Sequence, residues 1–360
     1  MEGTPPARRV IVADGRMTAD EAYGLACQGT ALLWRGDFQE ARQMLNAMGR
    51  RADRRRRAAS TSATSNGPAE VFHLYRQARA QRARTLHALL IPLNEDYSIP
   101  LRRAPDMRQA CTEAFGTGRT ASVTSLRTLL GVIGAHEWRL KGIEIPEAGG
   151  RIHPHYGVFA PVRREYVDLV CTTPLPTACE SSSVAFDIGT GTGVLAAILA
   201  RRGVARVIAT DMDARALACA RENVRNLGLA ERIDVVEADL FPSGRAALVV
   251  CNPPWLPARP SSSLEHGIYD PDSRMLRGFL QGLARHLEPA GEGWLVLSDL
   301  AEHLGLRTRS QLLAEFEAAG LRVAGRNEVP PRHPRAADTS DPLHVARAAE
   351  ITSLWRLVAR

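Results

Sequence analysis

Six apolar residues, Ala246-Ala247-Leu248-Val249-Val250-Cys251, run directly into Asn252-Pro253-Pro254-Trp255. Proline has no N–H to give a ladder, so two in succession end the run, which reads as a buried strand stopping at Asn252. Upstream lies Asp187-Ile188-Gly189-Thr190-Gly191-Thr192-Gly193, a strand end passing through a glycine-rich turn into a helical pattern. Such a turn lets the backbone approach a nucleotide-like ligand closely. The Asn252 side-chain oxygen and the Pro253 carbonyl are two fixed acceptors, and together they can receive both protons of one planar NH2 group.

At 360 residues the chain suits two domains, each with its own core. The texture changes near residue 150. From Arg151 onward short β-type runs alternate with helical patterns, which predicts a parallel sheet with crossover helices. Strands are expected near 185–188, 206–210, 233–237, 248–251, 294–298, 321–324 and 353–358. Helices are expected near 193–202, 213–227, 273–287 and 310–319. The last two strands should pair antiparallel.

Residues 1–150 read as helical. Thr18-Ala19-Asp20-Glu21 has capping-box spacing, and apolar residues follow to Leu33 and Trp34. Gly36-Asp37 breaks the pattern, and Asp37–Met48 suits a second helix, giving one αα-hairpin. Helical patterning resumes at Ala69 to about Leu90, stops at Pro92, and returns in Pro105–Phe115 and Ser122–Trp138. Between the helices, Arg54-Arg55-Arg56-Arg57 and the Ser/Thr/Ala/Gly-rich stretch to Pro68 predict a flexible linker near 51–68. The arginine run could also serve as a phosphate-contacting arm. The whole region reads as a substrate-recognition domain.

A net charge of +7 and a pI near 9.4 invite a nucleic-acid partner. Lys141 is the single lysine among 46 basic residues, however, and the chain is rich in alanine. That bias fits the codon usage of a GC-rich genome, which raises pI with no phosphate to bind. No apolar stretch is long enough to span a membrane, and the first residues lack the order of a signal peptide, so a cytoplasmic location is expected. The six cysteines are scattered, which predicts reduced thiols and no metal site.

Asp211 ends the second strand of the later region, where a carboxylate can accept two ribose hydroxyls. The third strand ends in Glu237-Ala238-Asp239-Leu240-Phe241. With the glycine turn and the Asn-Pro-Pro-Trp segment, these residues resemble the class I S-adenosylmethionine (SAM) methyltransferases. The similarity is to the branch with an N/D-P-P-Y/F/W motif, which includes the glutamine N5-methyltransferases of release factors and base N-methyltransferases of nucleic acids. It covers roughly 151–360 and implies an α/β, Rossmann-like, seven-stranded and mostly parallel sheet.

The resemblance implies SAM as cofactor. Asp187, Gly189, Thr190, Gly191 and Gly193 would then hold its amino-acid end, and Asp211 its ribose. Asp239 would meet the adenine amino group, with Leu240 packing nearby. Phe159, in Gly157-Val158-Phe159-Ala160-Pro161, would lie against the cofactor. Asn252, Pro253, Pro254 and Trp255 would hold the target nitrogen, the indole offering a flat face to a planar amide or base. Pro161-Val162-Arg163-Arg164-Glu165 is loosely similar to a Pro-Arg-x-x-Thr-Glu stretch of the glutamine enzymes, out of register by one. His153 and His155 are candidate substrate contacts or ordinary hydrogen-bonded histidines. The segment Glu265–Asp272 is either a wall of the acceptor pocket or a surface loop.

The implied function is N-methylation of a planar amide or amine, most like protein-glutamine methylation. A nucleic-acid base or a small molecule is an alternative acceptor, and a non-catalytic SAM-binding protein is the alternative of a different class. A hydride-transferring dehydrogenase is disfavoured, because nothing resembles its catalytic base.

Overall fold

The computed structural model describes residues 7, 9–60, 67–118, 120–181, 184–260 and 263–360, without the side chains of 55–60, 181, 263 and 264. The chain divides into two units, Met1–Trp138 and Arg139–Arg360.

The first unit carries a four-stranded sheet in the order β1-β2-β3-β4. Its strands are β1 (Arg9–Ala13), β2 (Thr30–Trp34), β3 (Leu89–Leu93) and β4 (Ser122–Ser125). The first three run parallel, and β4 is antiparallel to β3. The helices are α1 (Ala19–Cys27), α2 (Phe38–Ser60), α3 (Pro68–His87), α4 (Arg108–Phe115) and α5 (Leu126–Lys141). Thr18 caps α1, its side chain accepting the Glu21 N–H at 3.3 Å. Trp34, Phe38, Met48, Phe72, Leu89 and Ile91 are fully buried and form its core.

This unit corrects the wholly helical reading. The segment Thr30–Trp34 continues no helix from Thr18; it is a strand between β1 and β3. A four-residue apolar run, Ala31–Trp34, has no period long enough to separate a buried strand from a buried helix turn. The linker reading also fails for 51–60, which lie inside α2. Residues 61–66 and the side chains of Arg55, Arg56 and Arg57 lie outside the described part, while Arg54 is exposed.

The second unit opens with a hairpin of β5 (Ile143–Ile145) and β6 (Gly150–Ile152), so its limit falls before residue 150. Helices α6 (Glu165–Thr172) and α7 (Ala178–Ser181) lead into the main sheet. Then follow β7 (Val184–Ile188), α8 (Val194–Arg201), β8 (Arg206–Asp211), α9 (Ala214–Asn226), β9 (Ile233–Glu237) and β10 (Ala246–Cys251). The chain ends with α10 (Arg274–His286), β11 (Leu287–Ser298), α11 (Leu300–His303), α12 (Arg309–Ala318), β12 (Leu321–Val329), α13 (His344–Ala349) and β13 (Thr352–Ala359).

The sheet order is β12-β13-β11-β10-β7-β8-β9. Strands β9, β8, β7, β10 and β11 are mutually parallel, and β13 is antiparallel to both β11 and β12. This is the expected Rossmann-like α/β sheet, with each expected strand present. The chain moves outward from β7 through β8 to β9, then returns to lay β10 on the other side of β7. The switch point therefore lies between β7 and β10, where the crevice of an open α/β sheet forms. Every residue of β10 is buried, as a strand covered on both faces requires. No helix among the described residues is long and apolar enough to cross a membrane.

Candidate functional site

Strands β7 and β10 bring the two motifs side by side. Cys251 pairs with Ile188 across the switch point, so Asn252 begins level with Gly189. The turn after β7 depends on its glycines. Gly189, Gly191 and Gly193 all have positive φ, at 71°, 55° and 80°, a region that costs other residues roughly 1–2 kcal/mol. Space above Gly191 is open, so a Cβ there would touch nothing. Over Gly189 sits the Met275 methyl.

Asp187 is fully buried beneath this turn. Its Oδ2 accepts the Thr190 hydroxyl at 2.6 Å and the Ala196 N–H at 3.1 Å. Burial pushes its carboxyl up to about 6, against the two hydrogen bonds that favour the ionised form. A buried carboxylate with unused acceptor capacity suits a cation such as an ammonium group.

At the end of β8, Asp211 Oδ2 accepts the Gly191 N–H at 3.0 Å, and Oδ1 accepts the Asp213 N–H at 3.0 Å. Burial raises its carboxyl too, opposed by those backbone donors. Each oxygen keeps a lone pair for a ligand hydroxyl. Asp239 is exposed and pairs with Arg274, the first residue of α10, at 2.7 Å. An exposed pair of this kind is worth under about 1 kcal/mol, so a ligand amine can compete for the carboxylate. Leu240 turns its side chain down onto Gly278 of α10 and into the core, with φ at 75°. It therefore offers less surface to a ligand than its place in the sequence implies. Phe159 packs on Gly267, in the turn that follows the Asn-Pro-Pro-Trp segment.

Around Asn252 the bonding is specific. Trp255 donates its indole N–H to the Asn252 side-chain oxygen at 2.9 Å. The Arg163 guanidinium lies 4.7 Å from the centre of the Trp255 ring, covering one face. Leu256 and Tyr269 form a bridge, with the Leu256 N–H donating to the Ile268 carbonyl and the Asp270 N–H to the Leu256 carbonyl. The 265–272 segment is thereby tied to the motif. Asp270 in turn accepts the Met275 and Leu276 N–H groups at 3.0 and 3.1 Å, holding the start of α10. Asp272 and Ser273 are consecutive non-glycine residues at positive φ, 56° and 55°. Backbone strain of this kind concentrates at functional sites.

Residues 149–320 match the methyltransferase small domain. The likeness to that family extends over just under half of the chain. The chain is 36% identical over 152 residues to a release factor glutamine methyltransferase of Cereibacter sphaeroides, covering 41% of this chain and 51% of that protein. It is 33% identical over 162 residues to a ribosomal protein L11 methyltransferase of Pelotomaculum thermopropionicum, 44% of each chain. It is 32% identical over 157 residues to a tRNA1(Val) (adenine(37)-N6)-methyltransferase of Bacteroides fragilis, 38% of this chain and 65% of that one. The chain thus spans about half the length of the curated relatives it matches.

Within the matched region, His153 and His155 are held in hydrogen bonds of the fold. The His153 backbone N–H donates to the Asn223 side-chain oxygen at 2.7 Å, its ring bonds the Arg139 carbonyl at 2.6 Å, and the His155 ring meets Glu222 at 3.0 Å. Among the described residues no group of His, Cys, Asp and Glu could hold a metal. The sequence reading gave no site role to Arg163, Met275 or Met212, which lie on the Trp255 ring, over Gly189 and directly after Asp211. Met212 follows Asp211 and is 63% exposed. An exposed methionine directly after a candidate ribose-binding carboxylate was the available signal for it.

Proposed function

We propose that this chain is a SAM-dependent N-methyltransferase acting on a planar amide or amine nitrogen. The observation that carries the reading is the register of β7 against β10, with the glycine turn and the Asn252 acceptor level at the switch point. SAM, when bound, supplies an activated methyl group. The residues fit it: open space over Gly191, a buried carboxylate at Asp187, and a strand-end carboxylate at Asp211. Met212, exposed directly after Asp211, would give an apolar surface for the adenine ring.

Asn252 and Pro253 then do the selective work. The Asn252 oxygen and the Pro253 carbonyl hold the two protons of the target NH2 and aim its lone pair. Orientation of this kind can account for much of a rate enhancement, because the reacting atoms are held in line. As the nitrogen becomes pyramidal its protons grow more acidic, so both bonds strengthen in the transition state. No strong general base is needed, since the methylated nitrogen loses a proton readily.

The protein-glutamine acceptor is favoured by the 36% identity to a release factor glutamine methyltransferase. The similarity to a tRNA adenine-N6 methyltransferase supports a second reading, since an exocyclic base amine presents the same two protons. The first unit would recognise the acceptor in either case. The test is transfer of tritium from methyl-labelled SAM by the full chain to three acceptors: release factor, ribosomal protein and bulk tRNA. Label on release factor at glutamine supports the first reading, label on tRNA adenine the second, and no label on any acceptor contradicts both.

A further inference from the structure

The indole of Trp255 does something that neither a phenol nor a phenyl ring can do at this position. An Asn side chain has two ends, an acceptor oxygen and a donor NH2, and a half-turn about its last bond exchanges them. Only one orientation can hold a target NH2, since the other sets donor against donor. The indole N–H is a donor with no acceptor capacity. Its 2.9 Å bond to Asn252 is therefore satisfied only when Oδ1 faces it. The oxygen has a second lone pair, which that bond leaves for the target.

The indole is itself held. Arg163 stacks at 4.7 Å on its ring, and both terminal nitrogens of Arg163 reach Glu350 Oε1 at 3.1 Å. Glu350 is fully buried, just before β13. The Ser298 hydroxyl at the end of β11 donates to the same oxygen at 2.6 Å, and the His333 ring meets Oε2 at 3.3 Å. A chain of contacts thus runs from the ends of β11 and β13 through Glu350, Arg163 and Trp255 to the Asn252 amide.

We propose that Trp255 is a positioning residue: its indole N–H, set by the Arg163–Glu350 pair, locks the Asn252 amide with its oxygen available to the target. This role rests on the N-methyltransferase reading. It also sets a tryptophan apart from the Tyr or Phe that the motif admits at this position. A phenyl ring has no donor, and a phenol hydroxyl can both donate and accept, so neither imposes one orientation on Asn252.

The test uses the full chain with 15N-labelled tryptophan. Trp255→Phe keeps a flat ring, removes the N–H, and identifies the Trp255 indole signal by its loss. In Asn252→Ala the Trp255 indole proton should exchange with solvent about tenfold faster than in the parent, the scale of one lost hydrogen bond. Glu350→Gln should give an intermediate rate. With methyl-labelled SAM and unmethylated full-length release factor, Trp255→Phe should lower kcat about tenfold, with the KM for SAM within about twofold. A merely structural tryptophan would not separate the two constants in that way. Unchanged indole exchange in Asn252→Ala, or parental kcat in Trp255→Phe, overturns the proposal. If the parent transfers methyl to none of release factor, ribosomal protein and tRNA, the N-methyltransferase reading falls, and the role in transfer with it. Accelerated exchange in Asn252→Ala would still separate that result from failure of the Trp255–Asn252 bond itself.

Discussion

Asp211 accepts the Gly191 N–H at 3.0 Å, so the carboxylate at the end of β8 tethers the glycine turn that leaves β7. One side chain thereby shapes the loop. Asp211→Ala should weaken SAM binding by about 1–3 kcal/mol, the range for losing charge-assisted hydrogen bonds. Titration calorimetry on the full chain measures this directly. Affinity equal to the parent would remove Asp211 from the cofactor site.

Asp187 predicts a pH dependence with a definite sign. Burial raises its carboxyl from 3.8 to about 6 in the ligand-free fold. The group's stabilising contribution is then fully present below the unfolded value and is lost as pH rises through about 6. Urea unfolding of the ligand-free chain between pH 4 and 7 should therefore show a component falling with pH that Asp187→Asn abolishes. SAM binding should run the other way. A cationic amino group favours the carboxylate, so affinity should fall below pH 6 by up to about tenfold per unit. Affinity that is flat from pH 5 to 7 would contradict a contact between Asp187 and that group.

Glu350 makes a stability prediction. Its buried carboxylate gathers Arg163, Ser298 and His333. Burial works to raise its carboxyl, but the His333 contact and the Arg163 charge outweigh it and hold the group below the usual value. Glu350→Ala would leave Arg163 without its main partner and should cost about 3 kcal/mol in chemical unfolding. Glu350→Gln, which keeps the shape and the Ser298 bond, should cost less. A loss under about 1 kcal/mol for Glu350→Ala would show that Arg163 finds an equivalent partner.

The second unit was largely legible because its periods are unambiguous. Val184–Ile188 and Ala246–Cys251 are short, apolar and bounded by glycine or proline, and they are strands. Asp213 begins a strongly patterned stretch, and it caps α9. The first unit was not legible in this way. Ala31, Leu32 and Leu33 follow a true capping residue and could continue its helix on pattern alone. Leu89–Leu93 contains Pro92, which argues against a strand, yet β3 accommodates it opposite Val123 of the four-residue edge strand β4.

The candidate site shows the same division. Chain-local features, the glycine turn and the strand-end Asp211 and Asn252, followed from spacing. Relationships between distant residues did not. Nothing in the sequence links Arg163 to Glu350 or sets Arg163 on Trp255, because each contact depends on how loops at the sheet edge fold over one another. Leu240 shows the converse: its position matches a cofactor-facing residue, while its partly buried side chain packs over Gly278 of α10 with φ at 75°.

The central claim is that Asn252 acts on the target nitrogen and not on the cofactor. The most direct measurement is single-turnover methyl transfer from labelled SAM by the parent chain and Asn252→Ala, with SAM affinity determined on the same samples. Transfer should fall on the order of a hundredfold or more, the scale of losing one preorganised hydrogen-bond partner of the transition state. SAM affinity should stay within about threefold of the parent. Undiminished transfer by Asn252→Ala would contradict the account and reduce Asn252 to the end of a strand.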